Sequence, residues 1–116
     1  MLVRPWPRFV ALLTMTVGLV LPGIGVAGAH ATGPAPATDQ NLARLRWCES
    51  GDDYSATTRG RYFGAYQISG PTWRSLGYQG LAHQAPPGVQ DEAARRLQAR
   101  DGWGPWPGCA RSLGLR

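Results

Sequence analysis

Near its N-terminus the chain carries an apolar stretch from Phe9 to Leu21, preceded by Arg4 and Arg8 and closed by Pro22 and Gly23. The stretch falls short of the ~20 residues that a spanning helix needs. A positive start, an apolar middle and small residues at Ala27-Gly28-Ala29 or Ala29-His30-Ala31 follow the order of a secretory leader and its cleavage site. Residues 1–31 are therefore expected to be removed on export, leaving no stable membrane anchor. Residues 32–38 (TGPAPAT) are small and Pro-containing, as a short extended linker is. The folded unit is expected at 39–116.

Within that unit the pattern alternates between helical and extended periods. From Asp39 to Ser50 the spacing predicts a helix, capped by Thr38 or Asp39 and ended by Gly51 in a left-handed conformation. At about 100° per residue, Leu42, Leu45, Cys48 and Glu49 share an arc of roughly 120°. From Tyr54 to Ser69 aromatic and β-branched residues alternate about a turn signal at Thr58-Arg59-Gly60-Arg61, which predicts a small hairpin. Ser69-Gly70-Pro71 starts a second, short helix through Trp73 and Leu76, stopped by Gly77. After a loop from Tyr78 to Pro87, a third helix is expected over 88–100. Its apolar stripe is Val89, Ala93 and Leu97, and Asp91/Arg95 and Glu92/Arg96 form outward i, i+4 pairs. Three helices and a hairpin make a small α+β domain in which the hairpin walls a cleft.

A core of this size is marginal by itself, and small exported domains commonly add a disulfide. Cys48 and Cys109 are the candidates; two free buried thiols are the alternative, which export disfavours. The whole chain carries a charge of +5, and its basic residues are all Arg; without Arg4 and Arg8, ten arginines face seven acids. A weakly basic surface suits an anionic polymer such as a bacterial cell wall, but these arginines are scattered rather than clustered, and nucleic acid is not an expected partner of an exported chain. Two histidines, one of them in the leader, build no metal site at these spacings, and His83 reads as a loop residue. No cofactor is expected.

The candidate chemistry is Glu49. On an apolar face its carboxyl loses solvation, which raises its pKa and leaves a proton to donate near neutral pH, as a general acid requires. Arg46, three residues earlier, offers the opposite outcome, an ion pair that lowers the pKa. Tyr54, Tyr62, Tyr66, Trp73, Trp103 and Trp106 supply ring faces on which sugars stack, or alternatively a core.

Cys48-Glu49-Ser50-Gly51, Tyr54, Tyr62-Phe63-Gly64-Ala65-Tyr66-Gln67-Ile68, Thr72-Trp73 and the run Gly102-Trp103-Gly104-Pro105-Trp106-Pro107-Gly108-Cys109 together resemble the resuscitation-promoting factor domain of actinobacteria. The likeness covers nearly all of Asp39 to Ala110, and the order and spacing of its pieces make it specific. It implies a lysozyme-like fold, related to lytic transglycosylases, that cleaves peptidoglycan between N-acetylmuramic acid and N-acetylglucosamine. It implies Glu49 as the catalytic acid, a Cys48–Cys109 disulfide, and a substrate groove formed with Thr72, Trp73, Gln67 and Tyr62. Two departures bear on charge. Asp101 stands where the family commonly has glutamine, and Asp52-Asp53 where Gly-Asn often follows the acid motif. If Asp101 faces the cleft, it is a second carboxylate beside Glu49. The expected partner is the glycan strand of peptidoglycan. The alternatives are a wall-binding module without turnover and a secreted partner of another wall hydrolase.

Overall fold

The computed structural model of the chain describes residues 18–20, 23 and 33–116. The expected leader and its cleavage sites lie almost wholly outside the described residues. Helix α1 spans Asp39–Ser50. Thr38 caps it, its Oγ1 accepting from the Asn41 N–H at 3.1 Å, and Gly51 ends it at φ 68° with its N–H on the Arg46 and Trp47 carbonyls. Leu42 and Leu45 are fully buried, so the predicted apolar face is the one the helix turns inward. The stretch before α1 is docked rather than free: the Ala35 N–H donates to the Leu115 carbonyl at 3.0 Å, and the Trp103 indole donates to the Ala35 carbonyl at 2.8 Å.

The hairpin is present as β1 (Thr57–Thr58) and β2 (Tyr62–Phe63), turning through Arg59 and Gly60, both at positive φ. It is part of a three-stranded antiparallel sheet, because β3 (Ile68–Ser69) pairs with β2, Tyr62 opposite Ser69 and Phe63 opposite Ile68. Strands of two residues are too short for alternation to separate them from turns. Helix α2 is Gly70–Ser75, capped by Ser69, with Pro71 in its first turn. A 3-10 turn, Ala82–Gln84, carries His83 against Phe63, ring centroids 5.2 Å apart. Helix α3 is Pro87–Asp101, and a fourth helix, α4, is Pro107–Ser112. Among the described residues the expectation of three helices is thus corrected to four. Pro107 fixes φ at the start of α4, where its missing N–H costs nothing, and six residues carry too little periodicity to announce a helix.

Helix α3 corrects a second expectation. Asp91 does not pair outward with Arg95, which instead meets Asp39. Asp91 is half-buried and its Oδ1 accepts from the Tyr66 hydroxyl at 2.6 Å, the Tyr54 hydroxyl at 2.8 Å and Arg46 Nη1 at 3.3 Å. Glu92 and Arg96 do face each other on the exposed surface, at 3.9 Å. The buried face of α3 includes Gln90 beside Ala93, Ala94 and Leu97. Its amide is spent on backbone: Oε1 accepts from the Ala65 N–H at 2.9 Å, and Nε2 donates to the Tyr54 and Ala85 carbonyls at 3.0 and 2.9 Å.

Gly64 leaves room for that amide. A Cβ at Gly64 would stand 2.3 Å from Gln90 Oε1, on a backbone at φ +77°. Gly64→Ala therefore has to displace a satisfied buried amide and adopt a strained φ as well. The expected loss is about 3 kcal/mol or more of unfolding free energy, to be read as a shift of the denaturation midpoint at unchanged m-value.

Candidate active site

Glu49 occupies the last turn of α1; two sets of contacts fix that turn and a third holds the tail beside it. The Ser50 hydroxyl is 2.8 Å from the Ala65 carbonyl and 3.2 Å from the Arg46 carbonyl, both within donating distance, and it accepts from the Asp53 N–H at 3.0 Å, tying the helix end to the sheet. Cys48 is joined to Cys109 across 61 residues, with their Cα atoms 5.9 Å apart. The Trp106 indole donates to the Tyr66 carbonyl at 2.8 Å, which draws the C-terminal tail against the segment that follows the hairpin.

Between these anchors lies a cleft of about 440 Å³, lined by Glu49 from α1, Thr58 and Tyr62 from the sheet, Gln67 from the turn before β3, and Pro105, Pro107, Gly108 and Cys109 from the tail. An adjoining cavity of about 120 Å³ shares Tyr62, Gln67 and Pro105 with it and adds Ser69, Thr72 and Trp106. Gln67 is held at φ 52°, a left-handed backbone in a non-glycine residue, and its Nε2 donates to the Gly64 carbonyl at 3.0 Å. The side chain is thereby fixed where the two spaces meet. Tyr62 is 42% exposed, a ring face open to a ligand rather than to the core. Thr72 sits in the inner cavity with its Oγ1 2.9 Å from the Ser69 hydroxyl.

The Glu49 carboxyl belongs to none of the ion pairs among the described residues. Burial alone pushes its pKa up. Arg46, the neighbour capable of cancelling that effect, is engaged elsewhere. Its Nε meets Asp52 at 2.7 Å, its Nη1 meets Asp91 at 3.3 Å and the Tyr66 hydroxyl at 3.0 Å, and its guanidinium lies over the Tyr54 ring. Asp52 and Asp91 thus keep a cation three residues away from neutralising the acid. Desolvation, reinforced by the Asp91 hydrogen bond, pushes the Tyr54 hydroxyl up to about 12, so it stays protonated as a donor to Asp91.

Other predicted site residues lie elsewhere. Trp73 is core, 1% exposed, its indole donating to the Gln79 carbonyl at 2.9 Å and its ring stacked on Tyr78. Asp101 is exposed and held by both ends of the Arg100 guanidinium at 3.0 Å, which lowers its pKa; it lines neither space. An adjacent arginine at a helix end captures that carboxylate before it reaches the cleft. Asp53 turns onto Ser55, whose hydroxyl and N–H hold its carboxyl below the usual range. Among the described residues no second carboxylate joins Glu49 in lining the cleft. Among the aromatic candidates, Tyr62 lines both spaces and Trp106 the inner one, whereas Tyr66 and Trp103 are buried in the core. The wall formed by Pro105, Pro107 and Gly108 was not legible as cleft, although two prolines so close to a cysteine signal a rigid return of the chain.

A carboxyl group whose pKa is raised by burial, at the end of a disulfide-tethered helix, thus lines the same groove as an exposed tyrosine in a small α+β domain. Comparison with known proteins specifies the class. Residues 36–109 match the transglycosylase-like domain family. A resuscitation-promoting factor of Micrococcus luteus is 34% identical over 105 residues, spanning 90% of this chain and 47% of that protein. A resuscitation-promoting factor of Corynebacterium glutamicum is 42% identical over 95 residues, spanning 76% of this chain and 49% of that protein. The chain belongs to the transglycosylase-like family of resuscitation-promoting factors. It spans about half the length of these two relatives.

Proposed function

We propose that the chain is a secreted, lysozyme-like enzyme that cleaves the β-1,4 bond between N-acetylmuramic acid and N-acetylglucosamine in peptidoglycan, within the wall remodelling that accompanies resuscitation and growth. The observation that carries this reading is the Glu49 carboxyl in the cleft between sheet and tail, outside every ion pair among the described residues and raised in pKa by burial. Glycoside hydrolysis ordinarily uses two carboxyl groups about 5–9.5 Å apart. Here the cleft offers one, which favours the lytic transglycosylase route.

In that route Glu49 gives its proton to the glycosidic oxygen as the bond to the muramic C1 breaks, freeing the glucosamine hydroxyl. The muramic C6 hydroxyl, or first the N-acetyl oxygen, takes the place of an enzyme nucleophile at C1. The Glu49 carboxylate then removes the C6 hydroxyl proton as the anhydro ring closes, which returns the acid to its starting form. Tyr62 offers a face for a sugar ring, and Gln67 and Thr72 offer polar groups to its hydroxyls. Release of soluble glycan from insoluble peptidoglycan by the purified protein tests the reading; a protein that binds the wall but releases nothing contradicts it.

Because Glu49 must be protonated to act, activity falls as pH rises through its elevated pKa. Asp52→Asn removes one of the anchors of Arg46 and lets the guanidinium swing toward Glu49. A nearby cation favours the carboxylate, so the alkaline limb of the pH–rate profile is expected to move to lower pH by about half a unit. The profile on one glycan substrate, wild type against variant, checks the direction.

A further inference from the structure

A larger space, about 600 Å³, opens on the far side of Tyr62 between the β1–β2 turn and the start of α2. Phe63, Pro71 and Leu81 give it apolar surface, and Arg61 and Arg74 bring it two cations. Gly70 gives the second of these its place: a Cβ there would stand 3.0 Å from Arg74 Nη1 and 3.2 Å from Leu81 Cδ2. Neither arginine takes part in the ion pairs among the described residues, which involve Arg46, Arg95, Arg96 and Arg100 instead. The sequence accounts for this. Between Asp53 and Asp91 there is no acid at all, while Arg59, Arg61 and Arg74 all fall in that interval.

Uncompensated guanidinium groups beside an apolar floor make a site for an anion that also carries small apolar groups. The volume is that of a small-ligand pocket. Tyr62 lines both this space and the Glu49 cleft, so a chain branching from a sugar in the cleft passes across Tyr62 into it. We propose that this cavity receives the carboxylate-bearing side peptide of the glycan strand, with Arg61 and Arg74 as its anion ligands. The proposal rests on the reading of the Glu49 cleft as a peptidoglycan site and adds what sets its preference: strands that keep their peptides over strands stripped of them.

Binding measured without turnover separates the two claims. Backbone amide shifts of the Glu49→Gln protein are followed on titration with a soluble disaccharide-peptide of peptidoglycan, with the same compound amidated at every peptide carboxylate, and with poly(glycerol phosphate) as a wall anion of different chemistry. The free-acid compound is expected to shift the amides of Gly60, Gly70 and Leu81. Amidation, or the double change Arg61→Gln and Arg74→Gln, is expected to weaken its binding about tenfold. The doubly changed protein should bind free-acid and amidated compounds alike. Equal binding of both compounds by the protein that retains its arginines, or tighter binding of poly(glycerol phosphate) through these two residues, overturns the assignment. Shifts confined to this cavity in the Glu49→Gln protein, together with a wild-type protein that releases no glycan, would retain the anion site while refuting the cleavage reading.

Discussion

Glu49→Gln is expected to lower glycan cleavage by about a thousandfold or more, because the amide keeps the shape of the side chain but has no acidic proton to give. Steady-state rates on soluble glycan at the wild-type optimum check the size of the loss. The same substitution carries a stability signature. Burial disfavours the charged carboxylate, so folded Glu49 holds its proton to higher pH than the unfolded chain does. That contribution to stability is complete below the unfolded carboxyl range and is lost as pH rises through the elevated folded value. Glutamine has no charge to desolvate. The variant is therefore expected to melt at or above the wild-type temperature at neutral pH, with the difference fading in acid, so that inactivity is not mistaken for unfolding.

Cys109→Ser is expected to produce the largest loss of stability. The bridge closes 61 residues between α1 and the start of α4, and a loop of that length contributes about 4 kcal/mol in the chain-entropy account. For a domain of this size that corresponds to a fall of roughly 15–30 °C in Tm. Function should fail before the fold does, because Pro105, Pro107 and Gly108 form the cleft wall opposite the sheet and Cys109 fastens that wall to the helix bearing Glu49. Thermal melts of wild type, of wild type with reductant and of the variant test this. The two reduced forms should melt together, far below the oxidised protein, and a Tm within a few degrees of wild type would mean that the staple bears little of the fold.

What the sequence made legible follows the range of each interaction. Helix α1 was readable because its determinants are local: a threonine cap, leucines three apart and a terminal glycine. The β1–β2 turn was readable from Arg59-Gly60 for the same reason. Asp91 was misplaced because an aspartate four residues before an arginine looks the same whether it faces water or two tyrosines brought from the turns around the sheet. Gln90 was overlooked because nothing nearby in the chain shows that an amide on α3 will satisfy backbone groups at Ala65 and Tyr54. Motif position left Asp101 open as a second carboxylate beside Glu49 or as a solvent-facing helix end, and its immediate neighbour Arg100 holds it outside the cleft lining. Glu49 itself was ambiguous from periodicity, since Arg46 had the spacing to neutralise it. The structure resolves that by giving Arg46 two other carboxylates.

If Glu49 serves as both acid and base with no enzyme nucleophile, as proposed, the mass of the products shows it most directly. Digestion of purified peptidoglycan by this protein, followed by mass spectrometry of the soluble fragments, is predicted to give muramic ends lighter by one water than a hydrolysed reducing end, and to give none with Glu49→Gln. Fragments carrying ordinary reducing ends would show that water attacks with the help of a second group, and cleavage by the Glu49→Gln protein would remove the acid from the mechanism altogether.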